Sequence, residues 1–357
     1  MKMPFGRSTK PGGVKTSEAS TQVCIQGADG ELQEFRIPTT RDRLIETFGA
    51  MAPGKVLLEA STESEWVARC LERVGHEVVV ADPGFAPMYA TRSRKVKTDR
   101  RDARCLAEAC QLGAYRAAHR TSDASRHLRD LVLARKLQVR MRSQTIVTLR
   151  SILRREGFRL RSGGVASFRT RLEELELPAE TAEVMAPLLD LIDTLTASIK
   201  QSERGVADQL ALHPRAARLT TVPGIGPVTA ITFHATMDDS SRFASARAVR
   251  AYLGLVPSER SSGEKRQLGH ITKRGQTELR SLLVEAAWRI VRSTSDDTLA
   301  MRNWAAGITA RRGRAIAVVA DARKLAGVLF VMWRDEHDFA PRRTNTQPPR
   351  PLAASAA

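Results

Sequence analysis

Lys55-Val56-Leu57-Leu58-Glu59-Ala60 is a short apolar run that follows Pro53-Gly54. A run of this length beside turn residues predicts a buried strand. Upstream, Thr21–Ile25 and Leu32–Ile37 read as two strands joined through Ala28-Asp29-Gly30, a hairpin-turn signature. Thr40 can cap a helix running to about Met51. Downstream, Ser64–Val74 is helical by period and stops at Gly75. Glu77–Ala81 is another strand, ended by Asp82-Pro83, and Asp99–Leu112 is a helix with Gly113 as its stop. The order hairpin, helix, strand, helix, strand, helix predicts an α/β domain ending near residue 115. Sites in open sheets collect at the carboxyl ends of strands, where Glu59 and Asp82 stand.

The rest of the chain reads differently. Residues 1–20 are basic and rich in Gly, Ser and Pro, the composition of a disordered N-terminus. The α/β domain spans 21–120. Ser122 or Asp123 opens a long helical stretch through about Glu156, with Leu128, Leu131, Val132, Val139, Ile146, Leu149 and Leu153 as its apolar seam. A second helix runs from Pro187 to about Leu212. Residues 121–213 thus read as a coiled-coil or bundle linker, or equally as helices with a solvated basic face. Residues 214–338 are mostly helical, and 339–357 form a loose tail rich in Pro, Arg and Ala.

The chain has 357 residues and a formal charge of +18, with 42% hydrophobic residues. That apolar share is enough for real cores, and the cationic excess reads first as a nucleic-acid binder. No segment approaches the roughly 18 apolar residues needed to span a bilayer, so no membrane role is expected. Cys24, Cys70, Cys105 and Cys110 show no C-x-x-C spacing, which argues against a zinc ribbon or a disulfide scaffold. Reduced thiols and a polar start without an apolar stretch predict a bacterial-type cytoplasmic, nucleoid-associated protein.

Three motifs carry chemistry. In Lys97-Thr98-Asp99-Arg100-Arg101-Asp102-Ala103, the two acids are three apart and share a helix face. With Glu59 they can offer oxygen ligands to magnesium, beside Lys97, Arg100 and Arg101 for phosphate. First-turn acids also simply favour a helix dipole. Val222-Pro223-Gly224-Ile225-Gly226-Pro227 lies between two helical patterns. It reads as a helix-hairpin-helix clamp on a nucleic-acid backbone through Gly224 and Gly226, or as a plain Gly-rich turn. Ser261-Ser262-Gly263 sits in a polar loop followed by Lys265, Arg266, Lys273 and Arg274. A serine there can be a nucleophile among phosphate-binding cations, or part of a flexible loop.

Together with Leu58-Glu59-Ala60-Ser61, Tyr252-Leu253-Gly254-Leu255-Val256-Pro257 and Ile271-Thr272-Lys273-Arg274-Gly275, these stretches resemble the transposase family of insertion sequence 110, most closely its eleven-eleven subgroup. The resemblance runs from about Gly13 to Trp333. It implies an RNase H-like (RuvC-like) N-terminal domain with a DEDD magnesium site. Glu59, Asp99 and Asp102 match the second, third and fourth acids, and Ser262 matches a C-terminal serine that links covalently to DNA. It further implies a DNA recombinase of a transposable element, guided by a structured bridge RNA. The protein would act as a homo-oligomer, dimer or tetramer, joined by the long helices, with Arg-rich helices holding DNA and RNA.

One position departs from the pattern. The family's first acid lies in a Gly-x-Asp first strand, and here Gly13-Val14-Lys15 stands there. The expectation is a degraded or replaced first strand at about residues 10–17, with a cation where a metal ligand belongs. Glu18 lies nearby but three residues out of register. Two alternatives follow. One is a nucleic-acid-binding remnant that has lost turnover. The other is a RuvC-type junction resolvase using metal and water, against which the Ser-Gly loop and the hairpin speak.

Overall fold

The computed structural model describes residues 12–27, 31–89, 98–259 and 267–341. The chain divides into two compact units, Met1–Thr121 and Ser122–Ala357.

The first unit holds β1 (Gly12–Thr16), β2 (Ser20–Gln26), β3 (Leu32–Pro38), α1 (Arg41–Gly49), β4 (Lys55–Glu59), α2 (Ser64–Arg73), β5 (Glu77–Ala81) and α3 (Asp99–Leu112). The sheet order is β3-β2-β1-β4-β5. β1, β2 and β3 pair antiparallel, while β4 runs parallel to both β1 and β5. Side chains alternate across the sheet. Val14, Val23, Val56 and Leu58 face α1 and α2, where Leu44, Phe48, Val67 and Leu71 complete a buried core. Leu57 and Ala81 face the other way, onto Leu106 and Ala109 of α3.

The expected loose N-terminus and degraded first strand are overturned at residues 12–20. β1 is the central strand, in register Gly12↔Ile25 to Thr16↔Thr21 with β2 and Gly12↔Val56 to Val14↔Leu58 with β4. Gly-Gly-Val-Lys-Thr has little strand propensity of its own, but two flanking strands satisfy its backbone and Val14 is fully buried. Gly13 has a further function. A Cβ there would lie 2.1 Å from the Ala103 carbonyl oxygen and 2.3 Å from the Ala107 nitrogen. Only glycine lets the α3 backbone rest directly on β1.

The second unit opens with α4 (Asp123–Arg155), α5 (Phe168–Glu173) and α6 (Ala179–Leu212). Ser122 caps α4 by accepting from the Ser125 amide. α4 and α6 lie antiparallel: Leu128 and Val132 share a cluster with Val206, and Leu149 and Leu153 share one with Met185 and Ile192. α6 begins eight residues before the expected start at Pro187. Pro187 lies inside the helix and is exposed, so the carbonyl it leaves without a helical partner can turn to water.

The remaining elements are α7 (Pro214–Leu219), α8 (Pro227–Met237), α9 (Ala246–Tyr252), β6 (Pro257–Glu259), β7 (Leu268–Ile271), α10 (Thr277–Arg292), α11 (Leu299–Arg312) and α12 (Arg314–Asp335). Their core gathers around Phe233, Leu283, Phe330 and Trp333. Leu128, Val132 and Val206 of the long helices pack with Ala216, Ile231 and Ala235 of α7 and α8. No structural divide therefore falls at the boundary expected near residue 213. Among the described residues, no helix is long and apolar enough to cross a membrane.

Candidate functional site

In the first unit, the sequence-predicted residues sit where β1 and β4 end and α3 begins. Glu59 is the last residue of β4. Lys15 follows Val14, whose Cα partner on β4 is Leu58. The two side chains meet, with Lys15 Nζ 2.7 Å from Glu59 Oε2, each only 16% exposed. The Tyr89 hydroxyl donates to the same oxygen at 2.7 Å.

α3 brings the other two acids. Thr98 caps it, accepting from the Arg101 amide at 3.3 Å. Asp99 is exposed, whereas Asp102 is buried on the face that carries Leu106 one turn on. Burial of Asp102 follows from the close seating of α3 on Gly13.

The three acids are not assembled as metal ligands. Among the described residues, no three of His, Cys, Asp and Glu are grouped so as to hold a metal ion. Glu59 already has a full positive charge and a hydroxyl on one oxygen. A divalent ion brought to that oxygen would meet the Lys15 ammonium as a like charge. As arranged, these residues do not fit a divalent metal at Glu59.

The basic residues divide. Arg100, expected on nucleic acid, donates from Nε to Glu34 Oε2 at 2.6 Å, and Arg104 donates to Oε1 of the same carboxylate at 2.9 Å. Burial works against the Glu34 charge, yet these hydrogen bonds hold its carboxyl below the usual range. Glu34 thus clamps α3 to β3, a role the sequence reading missed. Arg101 stays exposed. Asp82, also noted at a strand end, accepts from Arg116 Nε at 3.1 Å and from the Gly84 amide at 2.8 Å. Lys97 lies outside the described residues.

In the second unit, Gly224 takes φ +89° in the turn between α7 and α8, and Gly226 is the N-cap of α8. A Cβ on Gly224 would lie 3.2 Å from the Ala286 carbonyl oxygen. Pro227 at the first helical position removes one of the amides expected to face a phosphate.

Ser261, Ser262, Lys265 and Arg266 lie outside the described residues, but the root of their loop is defined. β6 and β7 pair antiparallel from Pro257↔Ile271 to Glu259↔Leu268. Below them, two backbone segments cross at glycines. A Cβ on Gly254 would lie 2.2 Å from the Arg274 carbonyl oxygen, and one on Gly275 would lie 2.0 Å from that of Tyr252. Arg280, also missed from sequence, fastens the crossing. Its Nη1 donates to the carbonyls of Leu253 at 2.9 Å and Arg274 at 3.1 Å. Lys273 and Arg274 are exposed at this root, Lys273 at φ 55°.

Comparison with known proteins agrees with both halves of this description. Residues 13–157 match a DEDD transposase family model, beginning at Gly13 of β1. Residues 216–301 match the model described as transposase IS116/IS110/IS902 family, which takes in the α7–α8 turn and the β6–β7 hairpin. A probable family 20 transposase of Pseudomonas aeruginosa is 31% identical, over 84% of this chain and 90% of its own length. The transposase for insertion sequence element IS1111A of Coxiella burnetii is 26% identical, over 82% and 81%. That for IS1328 of Yersinia enterocolitica is 27% identical, over 82% and 87%. DEDD transposases generally use a divalent metal, and the N-terminal α/β unit is RNase H-like. This chain belongs to the IS110 family of insertion-sequence transposases, which are DNA recombinases.

Proposed function

We propose that the protein cuts and rejoins the DNA strands of its insertion sequence with Ser262 as the nucleophile. The observation that supports this most is the built root of the loop that bears it. Two crossing glycines and a buried arginine fix the root of the β6–β7 hairpin, a rigid base from which a serine could be presented to DNA. In the proposed step the serine oxygen bonds to phosphorus and the bond from phosphorus to a sugar oxygen breaks. The hydroxyl proton leaves to a base or to water, and the sugar oxygen gains one. The phosphoserine link keeps the phosphoester, so the reverse attack by a sugar hydroxyl rejoins a strand without an external energy source.

Glu59, Asp99 and Asp102 would be the acidic residues of the N-terminal site for which the family implies magnesium, and with the Lys15 ammonium on Glu59 Oε2 they would take such an ion only once that contact is released. Lys97, Arg101, Lys265, Arg266, Lys273 and Arg274 would hold phosphates, with the Gly224–Gly226 turn as a helix-hairpin-helix backbone clamp. Arg100 would contribute less, since Glu34 already neutralises it. A structured guide RNA is proposed as a second nucleic-acid partner, and a DNA substrate would put the protein at the nucleoid of a bacterial-type cytoplasm. Leu133, Leu137 and Met141 are exposed at helical spacing on α4, a seam suited to a second copy of the chain in a dimer or tetramer.

Ser262→Ala tests the reading. Labelled element DNA should lose both strand cleavage and the covalent protein–DNA adduct on a denaturing gel, while gel-shift affinity is kept. Cleavage that survives the substitution rejects the serine. A second reading is favoured by the Lys15–Glu59 contact: a copy that binds nucleic acid but no longer turns over. Incubation of the natural chain with supercoiled element DNA in magnesium separates the two, because only the first yields cut strands.

A further inference from the structure

The end of α4 carries a cleft separate from the acidic face and the β6–β7 hairpin. Gly157, at φ +83°, reverses the chain just past the helix. The Phe158 amide then donates to the Leu153 carbonyl at 2.8 Å, which folds residues 158–160 back against the last turn. Between the helix and the returning chain lies an open cleft of ≈ 620 Å³, lined by Arg150, Leu153, Arg154, Phe158, Arg159 and Leu160.

Two properties set this cleft apart. Its lining holds three guanidinium groups and no carboxylate. Some arginines of the arm are compensated, Arg135 by Glu203, and Arg169 by Asp190 and Asp193, whereas the three of this cleft are gathered on one lining. Arg150, Arg154 and Arg159 have no ion-pair partner among the described residues. Arg154 donates from Nε to the Arg150 carbonyl, a contact within its own helix. A helix dipole favours cations in a last turn and accounts for Arg154. It does not account for Arg159, which reaches the cleft only through the Gly157 reversal.

The second property is the apolar floor. Leu153 is 1% exposed, and Phe158 and Leu160 are half-buried around it. Arginine forks suit phosphate oxygens. An aromatic and aliphatic floor suits the face of a base or sugar. A duplex offers its phosphates but keeps its bases stacked inside, so it would leave the floor uncovered.

We propose that this cleft binds an unpaired stretch of a nucleic-acid strand, with phosphates on Arg150, Arg154 and Arg159 and one base against Phe158. The proposal rests on the chain handling nucleic acid. It does not rest on Ser262 as nucleophile, and strand cleavage is not its readout.

The test compares the full chain with the triple variant Arg150→Gln/Arg154→Gln/Arg159→Gln by fluorescence anisotropy. The probes are a 20-nucleotide single-stranded DNA, the same sequence as RNA, and the DNA duplex. Thermal melting first confirms that the variant is folded; should it not be, Arg159→Gln alone, in the exposed turn, replaces it. The triple variant should lose about tenfold or more in affinity for a single strand. Its salt slope should be shallower by up to about 2, because three phosphates are no longer neutralised. The single variant should lose about threefold. Duplex affinity should fall clearly less than single-strand affinity in either, because a duplex leaves the apolar floor uncovered. Loss with DNA alone, RNA alone or both supports the site and names the sugar it accepts. No loss for either strand, or equal loss for strand and duplex, overturns the proposal.

Discussion

The Lys15 ammonium and the Tyr89 hydroxyl both lie 2.7 Å from Oε2 of Glu59, so one carboxylate oxygen at the end of β4 receives a cation and a hydrogen bond together. The central strand supplies the cation and the neighbouring parallel strand supplies the acid. This contact decides what the N-terminal acidic face can do, because it neutralises Glu59 from within the protein.

Two variants at Lys15 should therefore behave in opposite ways. Lys15→Met removes the counter-charge from a largely buried carboxylate and should cost on the order of 1–3 kcal/mol in urea unfolding at pH 7. Lys15→Asp places a second carboxylate beside the first. It should melt below the natural chain in EDTA and regain several degrees in millimolar magnesium or manganese, because an ion that binds only the folded state stabilises it. The natural chain should melt at the same temperature with and without the ion. A comparable metal-induced rise in the natural chain would show that Lys15 does not close the site.

The seating of α3 on β1 makes a second prediction. A Cβ at Gly13 collides with helix backbone, which cannot swing aside as a side chain can. Gly13→Ala should destabilise the N-terminal unit by at least about 3 kcal/mol. Gly164 has nothing within 4 Å of the same added atom, so Gly164→Ala should stay within about 1 kcal/mol. Chemical denaturation of both variants checks the contrast, and equal midpoints would mean that α3 does not rest on β1 this closely.

These residues also show which parts of the fold were legible. β4 was readable because its apolar run is short and follows Pro53-Gly54, and α3 because Gly113 marks its end. Both signals are local. β1 was not readable, since Gly12, Gly13 and Lys15 are poor strand formers; the strand exists through its two neighbours and the helix above it. The start of α6 was missed because Pro187 looked like a first residue rather than a tolerated interior one. Glu34 gave no sign, for its partners Arg100 and Arg104 lie 66 and 70 residues away. The acids Asp99 and Asp102 were visible as a pair. Which of them turns inward is fixed only when α3 docks.

Arg280 makes a third prediction. It is 9% exposed and satisfies two backbone carbonyls where the segments before β6 and after β7 cross. Arg280→Met leaves both acceptors without that donor and should cost about 2–4 kcal/mol. Arg280→Lys keeps the charge but not the fork, and should recover only part of the loss. Amide hydrogen exchange across Leu268–Ile271 should accelerate in the order natural chain, Lys, Met. Unchanged exchange in Arg280→Met would remove the arginine from any part in holding the hairpin.

Asp321 on α12 is fully buried, and neither of its carboxylate oxygens has a hydrogen-bond partner among the described residues. Burial pushes its carboxyl up to about 7 from 3.8, with Lys324 opposing. The folded chain therefore holds a proton that the unfolded chain has released, and this contribution to stability fades as pH rises from 3.8 through about 7. Asp321→Asn removes the charge at similar size. It should raise stability at pH 8 by about 4 kcal/mol and make little difference at pH 4. A variant no more stable than its parent at pH 8 would contradict the buried, partnerless carboxylate.

His234 should respond to pH with the opposite sign. The buried Trp333 Nε1–H donates to its Nδ1 at 2.8 Å, so that nitrogen must keep its lone pair. Burial, helped by nearby His213 and Arg215, holds the imidazole down at about 4 against an ordinary 6.5. Below pH 6.5 the unfolded chain takes up a proton that the folded chain refuses, so stability falls as pH drops towards about 4. From this group alone the loss between pH 7 and pH 4.5 should be on the order of 2 kcal/mol. His234→Gln can still accept from Trp333 through its amide oxygen but has no proton to gain. In urea titrations across that range its stability should decline less steeply than that of the natural chain, by about that amount. Parallel curves for the two proteins would mean that His234 is not held neutral by the core between α8 and α12.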